Sequence, residues 1–268
     1  MPPDCQPLSG FLSFRFTGTD GKERCVYHAG TGPGVLLMHE MPGMSPVCTD
    51  LAREIAAAGF TIYLPLLFGR PGEDRGLLPM FSVCVRREFH LFATGRRSPI
   101  TNWMRDLCAH VHTLSGGPGI GVISMCMTGG LTFALCASPA VLAAVTSQPS
   151  LPFTIFRGAK ARRDLGNAAV DLESARTRVA AEEIDILGLR FSSDIACPAE
   201  RFETAQLVFG RYFKPVVYPT PDRKHGLSRW AHPVLTGARG NLPETHPIRR
   251  ARGAVIAYLR ERLRPAAE

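Results

Sequence analysis

No uninterrupted apolar run approaches the roughly 18 residues that a membrane-spanning helix needs. The richest stretch, Gly119 to Leu135, is broken by Ser124, Thr128, Gly129, Gly130 and Thr132. Met1 to Gly10 carries neither a basic cluster nor an apolar segment, so no secretory signal is read there and the expected location is the cytoplasm. The eight cysteines include no C-x-x-C pair and no Cys/His cluster at zinc-site spacing. Reduced thiols, mostly buried as small apolar groups, are therefore the expectation. Neither an internal repeat nor a low-complexity linker interrupts the chain. The formal charge is +8, yet no run of five or six like charges occurs and aromatics are not interleaved with the arginines, so neither a nucleic-acid nor a membrane partner is expected. The glycine-rich stretches Gly30-Thr-Gly-Pro-Gly34 and Gly116-Gly-Pro-Gly-Ile-Gly121 precede strands. They do not join a strand to a helix, so they offer no helix N-terminal amides to a nucleotide phosphate.

What is present is the composition of one ordinary globular domain: 268 residues, 45% apolar and 20% charged. Apolar strands alternate with helical patterns. Strands are expected at 12–17, 23–28, 34–39, 60–65, 120–125, 141–147, 184–191 and 213–218. Helices are expected at 49–58, 103–114, 129–136, 199–209 and 249–264, with a polar, helix-prone excursion over 156–181. Such alternation predicts an α/β fold with a mostly parallel twisted sheet and helices on both faces. Residues 68–101 mix Gly, Pro and Arg with apolar patches and read as an insertion or lid.

The informative stretch is Gly121-Val-Ile-Ser124-Met125-Cys126-Met127-Thr128-Gly129-Gly130. An apolar strand runs straight into a glycine-rich helix start, with one reactive side chain at the join. This is the shape of a nucleophile elbow, although Ser124 and Thr128 stand where the strict pattern has glycine. A thiol at a helix N-terminus is favoured as thiolate, and the Met127 amide is placed to donate to an oxyanion.

The chain resembles the dienelactone hydrolase family, from about residue 10 to 265. Leu37-Met-His-Glu40-Met-Pro-Gly43 is similar to that family's strand followed by a glutamate and a glycine turn. Ser124-Met-Cys126-Met-Thr-Gly-Gly130 is similar to its elbow. Leu189-Arg-Phe-Ser-Ser-Asp194 resembles the strand end that delivers the acid, and Lys224-His225-Gly-Leu-Ser-Arg229 the loop that carries the histidine. The resemblance implies an α/β-hydrolase fold and a triad of Cys126, Asp194 and His225, in the nucleophile–acid–base order of that fold.

It further implies that Glu40 hydrogen-bonds the resting thiol, that the Met41 amide completes the oxyanion hole beside Met127, and that Arg229 binds a substrate carboxylate. An assisting arginine, Arg86 or Arg87, would come from the insertion. The implied activity is hydrolysis of an ester or lactone, with or without a carboxylate, through a cysteine thioester and with no metal or organic cofactor. The competing reading is a catalytically silent domain of the same fold that binds a ligand or a partner. The sequence sets no oligomeric state.

Overall fold

A computed structural model describes residues 5–73, 98–153 and 158–263. Eight strands form one sheet: β1 (Leu12–Thr17), β2 (Glu23–Ala29), β3 (Gly34–Met38), β4 (Thr61–Pro65), β5 (Ile120–Met125), β6 (Val141–Ser147), β7 (Ile186–Phe191) and β8 (Phe213–Tyr218). Their spatial order is β1-β2-β4-β3-β5-β6-β7-β8. The β1–β2 and β2–β4 pairs are antiparallel, and every pair from β4 through β8 is parallel. This is the α/β-hydrolase architecture that the alternating pattern predicts.

The helices are α1 (Pro46–Ala57), α2 (Pro99–Ser115), α3 (Leu131–Leu135), α4 (Gly158–Arg163), α5 (Ala169–Ala181), α6 (Ala199–Phe209) and α7 (Pro247–Leu263). Helices α1 and α2 start earlier than hydrophobic periodicity suggests. In each, a serine N-cap is followed by proline at the first turn, where a missing N–H costs nothing. The sheet separates two cores. Leu36 and Met38 point to the side packed by Trp103, Leu107, Phe133, Val179 and Phe202. Val35 and Leu37 point to the side packed by Leu51, Ile55, Ile248, Val255 and Leu259. Strands buried on both faces read as continuous apolar runs, which is why they were conspicuous in the sequence.

Register fixes where the strands end. Met38 lies opposite Ser124, Met125 opposite Ser147, and Ser147 opposite Leu189. The residues that follow β3, β5, β6 and β7 therefore leave the sheet together at its carboxyl edge. Loops at that edge are where open α/β sheets bind ligands.

One expectation changes. Cys5 and Cys25 form a disulfide, tying the segment before β1 to β2, so the described thiols are not all reduced. The two Cα atoms are 5.7 Å apart, within bridging reach, a proximity created by strand pairing and carried by no spacing rule. Most of the expected lid, residues 74–97, lies outside the described residues, as do Arg86 and Arg87. Among the described residues no helix is long and apolar enough to cross a membrane.

Candidate active site

Cys126 sits at the carboxyl end of β5, half-buried, with φ of 51°. A non-glycine residue in this left-handed region costs about 1–3 kcal/mol and persists only where the surroundings enforce it. The enforcement is visible. Gly129 has no room for a side chain: a Cβ there would lie 2.6 Å from the Pro149 Cα and 2.9 Å from the Cys126 carbonyl oxygen. The hydroxyls that replace glycine at the flanks bond inside the turn. Ser124 Oγ donates to the Gly129 carbonyl at 2.8 Å. Thr128 Oγ1 accepts from the Met125 amide at 3.1 Å and donates to the Met125 carbonyl at 2.9 Å. The flanks that depart from the strict motif are thus accommodated by hydrogen bonds that satisfy both buried hydroxyls.

The helix after the elbow is shorter than expected. A single 3₁₀ turn, Cys126–Thr128, precedes α3, which has only five residues. Its dipole is correspondingly small.

Asp194 follows β7 and is 4% exposed. One carboxylate oxygen accepts from the Ala196 and Cys197 amides at 2.9 and 3.2 Å. The other bonds His232 Nδ1 at 2.8 Å. His232 also lies close enough to Cys126 for a charge on the sulfur to act on its ring. The histidine on this axis is therefore residue 232. His225 lies elsewhere: its Nδ1 pairs with Asp222 at 2.6 Å and its Nε2 meets Thr245 Oγ1 at 3.2 Å. The 3₁₀ turn Arg223–His225, capped by the Asp222 side chain, makes that pair a local i,i+3 contact. Burial disfavours the imidazolium of His232. A negative charge on Cys126 and the hydrogen bond that His232 donates to the Asp194 carboxylate outweigh it and raise its pKa well above the usual histidine value.

Glu40 is buried and does not contact the sulfur through a hydrogen bond. Its carboxylate accepts from Thr236 Oγ1 and, at 3.0 Å, from Gln148 Nε2. Burial raises its pKa; the Thr236 bond, the His232 charge and the Gln148 bond act the other way. Gln148 also accepts from the Val234 amide at 3.2 Å, so one side chain links Glu40 to the loop that carries His232. The sulfur has a different neighbour: Ser150 Oγ, at 3.2 Å.

Met127 is buried in the elbow turn, and Met41 follows Glu40 with its side chain against the core. Arg229 is exposed, its guanidinium 4.4 Å from the Trp230 ring centre and its carbonyl accepting from Ser193 Oγ. His39 is buried and structural. Its Nε2 accepts from the Leu67 amide at 3.1 Å, and burial lowers its pKa to about 4, against a backbone hydrogen bond to Glu40. Among the described residues no group of three or more His, Cys, Asp or Glu side chains converges as a metal site would.

Residues 25–161, just over half of the chain, match the dienelactone hydrolase family. The chain belongs to that family. Solved structures agree on the fold. A protein assigned as dienelactone hydrolase from Klebsiella pneumoniae superposes with TM-score 0.64 at 19% identity, covering 93% of this chain and 98% of its own. A dienelactone hydrolase-like promiscuous phosphotriesterase from metagenomic libraries gives 0.62 at 16% identity, covering 96% and 100%. An α/β serine hydrolase without lid from Xanthomonas campestris gives 0.55 at 12% identity, covering 99% and 100%. No curated protein sequence matches the chain significantly.

Within this dienelactone hydrolase-family chain, the choice between the two histidines also decides which residue stands four positions on. Counted from His225 that position is Arg229; counted from His232 it is Thr236, whose hydroxyl binds Glu40. Sequence reasoning missed His232, Gln148 and Ser150. His232 lies between Ala231 and Pro233 with nothing local to mark it. Gln148 and Ser150 were open to one signal: they follow a strand whose end must reach the carboxyl edge.

Proposed function

We propose that this chain hydrolyses ester or lactone bonds with Cys126 as nucleophile, His232 as general base and Asp194 as the carboxylate that orients it. The observation that carries this reading is His232, hydrogen-bonded to the buried Asp194 on one side and electrostatically coupled to the strained elbow cysteine on the other. The His232 Nδ1–H points at Asp194, which leaves Nε2 to take the thiol proton. Cys126 Sγ then attacks the acyl carbon, and the carbonyl electron pair moves onto oxygen, where the Met127 and Met41 amides are the assigned donors. Each such donor is worth about 10²–10³ in turnover. The alcohol leaves with the proton held by His232, giving a thioester, and water activated by His232 releases the acid.

Recognition of a substrate carboxylate is not part of this reading. The position that follows the working histidine by four residues is Thr236, and Arg229 lies over Trp230. The preferred substrates are accordingly neutral activated esters and lactones, whose good leaving groups suit a thiolate.

The test is a panel of p-nitrophenyl esters, dienelactones and phosphotriesters run on the wild type and Cys126→Ala, with site-resolved labelling by a thiol probe. The expected result is ester turnover that vanishes in the variant, and selective labelling at residue 126. A wild type that turns over none of the panel and takes no label at Cys126 is instead a binding domain.

A further inference from the structure

We propose that Ser150 is a further catalytic residue: its hydroxyl donates to the Cys126 sulfur and holds it as a thiolate facing His232. The inference rests on the reading of Cys126 as nucleophile and assigns the partner of its charged form.

Residue 150 grips residue 126 at two points. The Ser150 amide donates to the Cys126 carbonyl at 2.9 Å, and the hydroxyl lies 3.2 Å from the sulfur. Ser150 is 1% exposed, so water does not compete for that hydroxyl as it does at a surface serine.

The segment is also fixed in advance. The fully buried Arg201 donates to the Pro149 carbonyl at 2.6 Å and to the Pro152 carbonyl at 2.7 Å, one on each side of Ser150. Pro149 packs against the bare Cα of Gly129. A donor held this way needs no reorganisation when charge appears on the sulfur, the condition under which a hydrogen bond stabilises an anion most.

Apart from the facing His232, which receives the thiol proton, the other stabilisers are weak or engaged. Helix α3 is too short to contribute a strong dipole. Glu40, tied to Thr236 and Gln148, is a carboxylate that could only repel a thiolate if charged.

The proton accounting is simple. The thiol proton passes from Sγ to Nε2 of His232, Asp194 bears the imidazolium, and Ser150 keeps its own proton throughout. When Sγ bonds the acyl carbon it becomes a thioether and the Ser150 bond weakens. It returns when the thiolate is released.

The size of the effect decides what to measure. A charge-assisted bond of this kind lowers a thiol pKa by roughly one unit, tenfold more thiolate at low pH. Nucleophilicity falls with basicity at a slope of about 0.4–0.5, so each remaining thiolate is about threefold less reactive. The net gain is about threefold below the midpoint, with a loss of similar size on the high-pH plateau.

The experiment is iodoacetamide alkylation of the full chain across pH, quantified at Cys126 by peptide mass spectrometry, for wild type, Ser150→Ala and Ser150→Thr. Ser150→Ala should move the midpoint up by about one unit, react about threefold more slowly below it and about threefold faster on the plateau, so that the two profiles cross. Ser150→Thr, which keeps a hydroxyl, should restore the wild-type midpoint. A merely structural serine would change rates in one direction at every pH and produce no crossing. An unshifted midpoint in a folded Ser150→Ala overturns the proposal. If the profiles cross but no ester is hydrolysed, the Ser150 assignment stands and the esterase reading fails. If esters are hydrolysed and the midpoint does not move, the converse holds.

Discussion

The Asp194 carboxylate bonds His232 Nδ1 at 2.8 Å across 38 positions of sequence, while His225, the more conspicuous histidine, pairs with Asp222 three residues away. The two histidines present the same chemistry in different surroundings. Only the first is coupled to Cys126, whose charge, with the Asp194 hydrogen bond, pushes the His232 pKa well above the usual histidine value.

Kinetics should separate them. His232→Ala is expected to lower kcat/KM for p-nitrophenyl esters by about 10⁴-fold, the scale seen when a triad member is removed. His225→Ala should leave the rate within a few fold. The reverse ranking would sink the assignment of the base.

Glu40 gives a stability prediction with a definite sign. Burial raises its folded-state pKa above the reference value of 4.5, against the Thr236 bond, the His232 charge and the Gln148 bond. As pH rises past that reference, the unfolded chain releases this proton first, so stability is lost on the way to the folded-state pKa. Glu40→Gln has no proton to release and keeps an acceptor for Gln148. Its melting temperature relative to wild type should climb as pH rises above the reference value of 4.5 toward neutrality. A constant difference over that range would refute the sign.

His39 should act in the opposite sense. Its folded-state pKa is lowered to about 4 from 6.5. The unfolded chain therefore takes up this proton first as pH falls, and stability present above pH 6.5 is lost down to about pH 4. The full loss is on the order of 3 kcal/mol. Urea titrations at several pH values should show this acid slope in wild type. His39→Gln, less stable at neutral pH because the packing on Phe68 is gone, should lack it.

Arg201 is a structural test of the loop after β6. Its guanidinium is fully buried and donates to the carbonyls of Pro149, Pro152, Ala161, Asp164 and Ala196. Arg201→Met leaves these acceptors unpaired in the interior and should cost at least about 3 kcal/mol in urea unfolding. A loss below about 1 kcal/mol would mean that the carbonyls find other donors.

How far the sequence reached depends on the range of the interaction. Strands β3, β5 and β6 and the elbow at Cys126 were legible because each is written in adjacent residues: continuous apolar runs, then a glycine pair. Asp194 was legible because it sits at a strand end. The histidine that pairs with Asp194 was not, because that pairing is a matter of loop path. Both 225 and 232 follow β8, and a Lys-His-Gly context is locally more suggestive than Ala-His-Pro. The Glu40–Thr236 and Gln148–Val234 contacts, like the Cys5–Cys25 disulfide, exist only once distant strands are aligned. Ser124 and Thr128 looked like defects of the motif, and their hydrogen bonds show why hydroxyls are tolerated there.

Gly129 gives the fold an indirect way to lose its chemistry. One methyl group at that position would press on the Pro149 backbone and on the carbonyl of residue 126. The loop after β6 would have to give way, and the Ser150–Cys126 contact with it, while Cys126, His232 and Asp194 all remained in the sequence. A scan for missing functional groups would overlook such a lesion, because the damage lies in the spacing between two backbones.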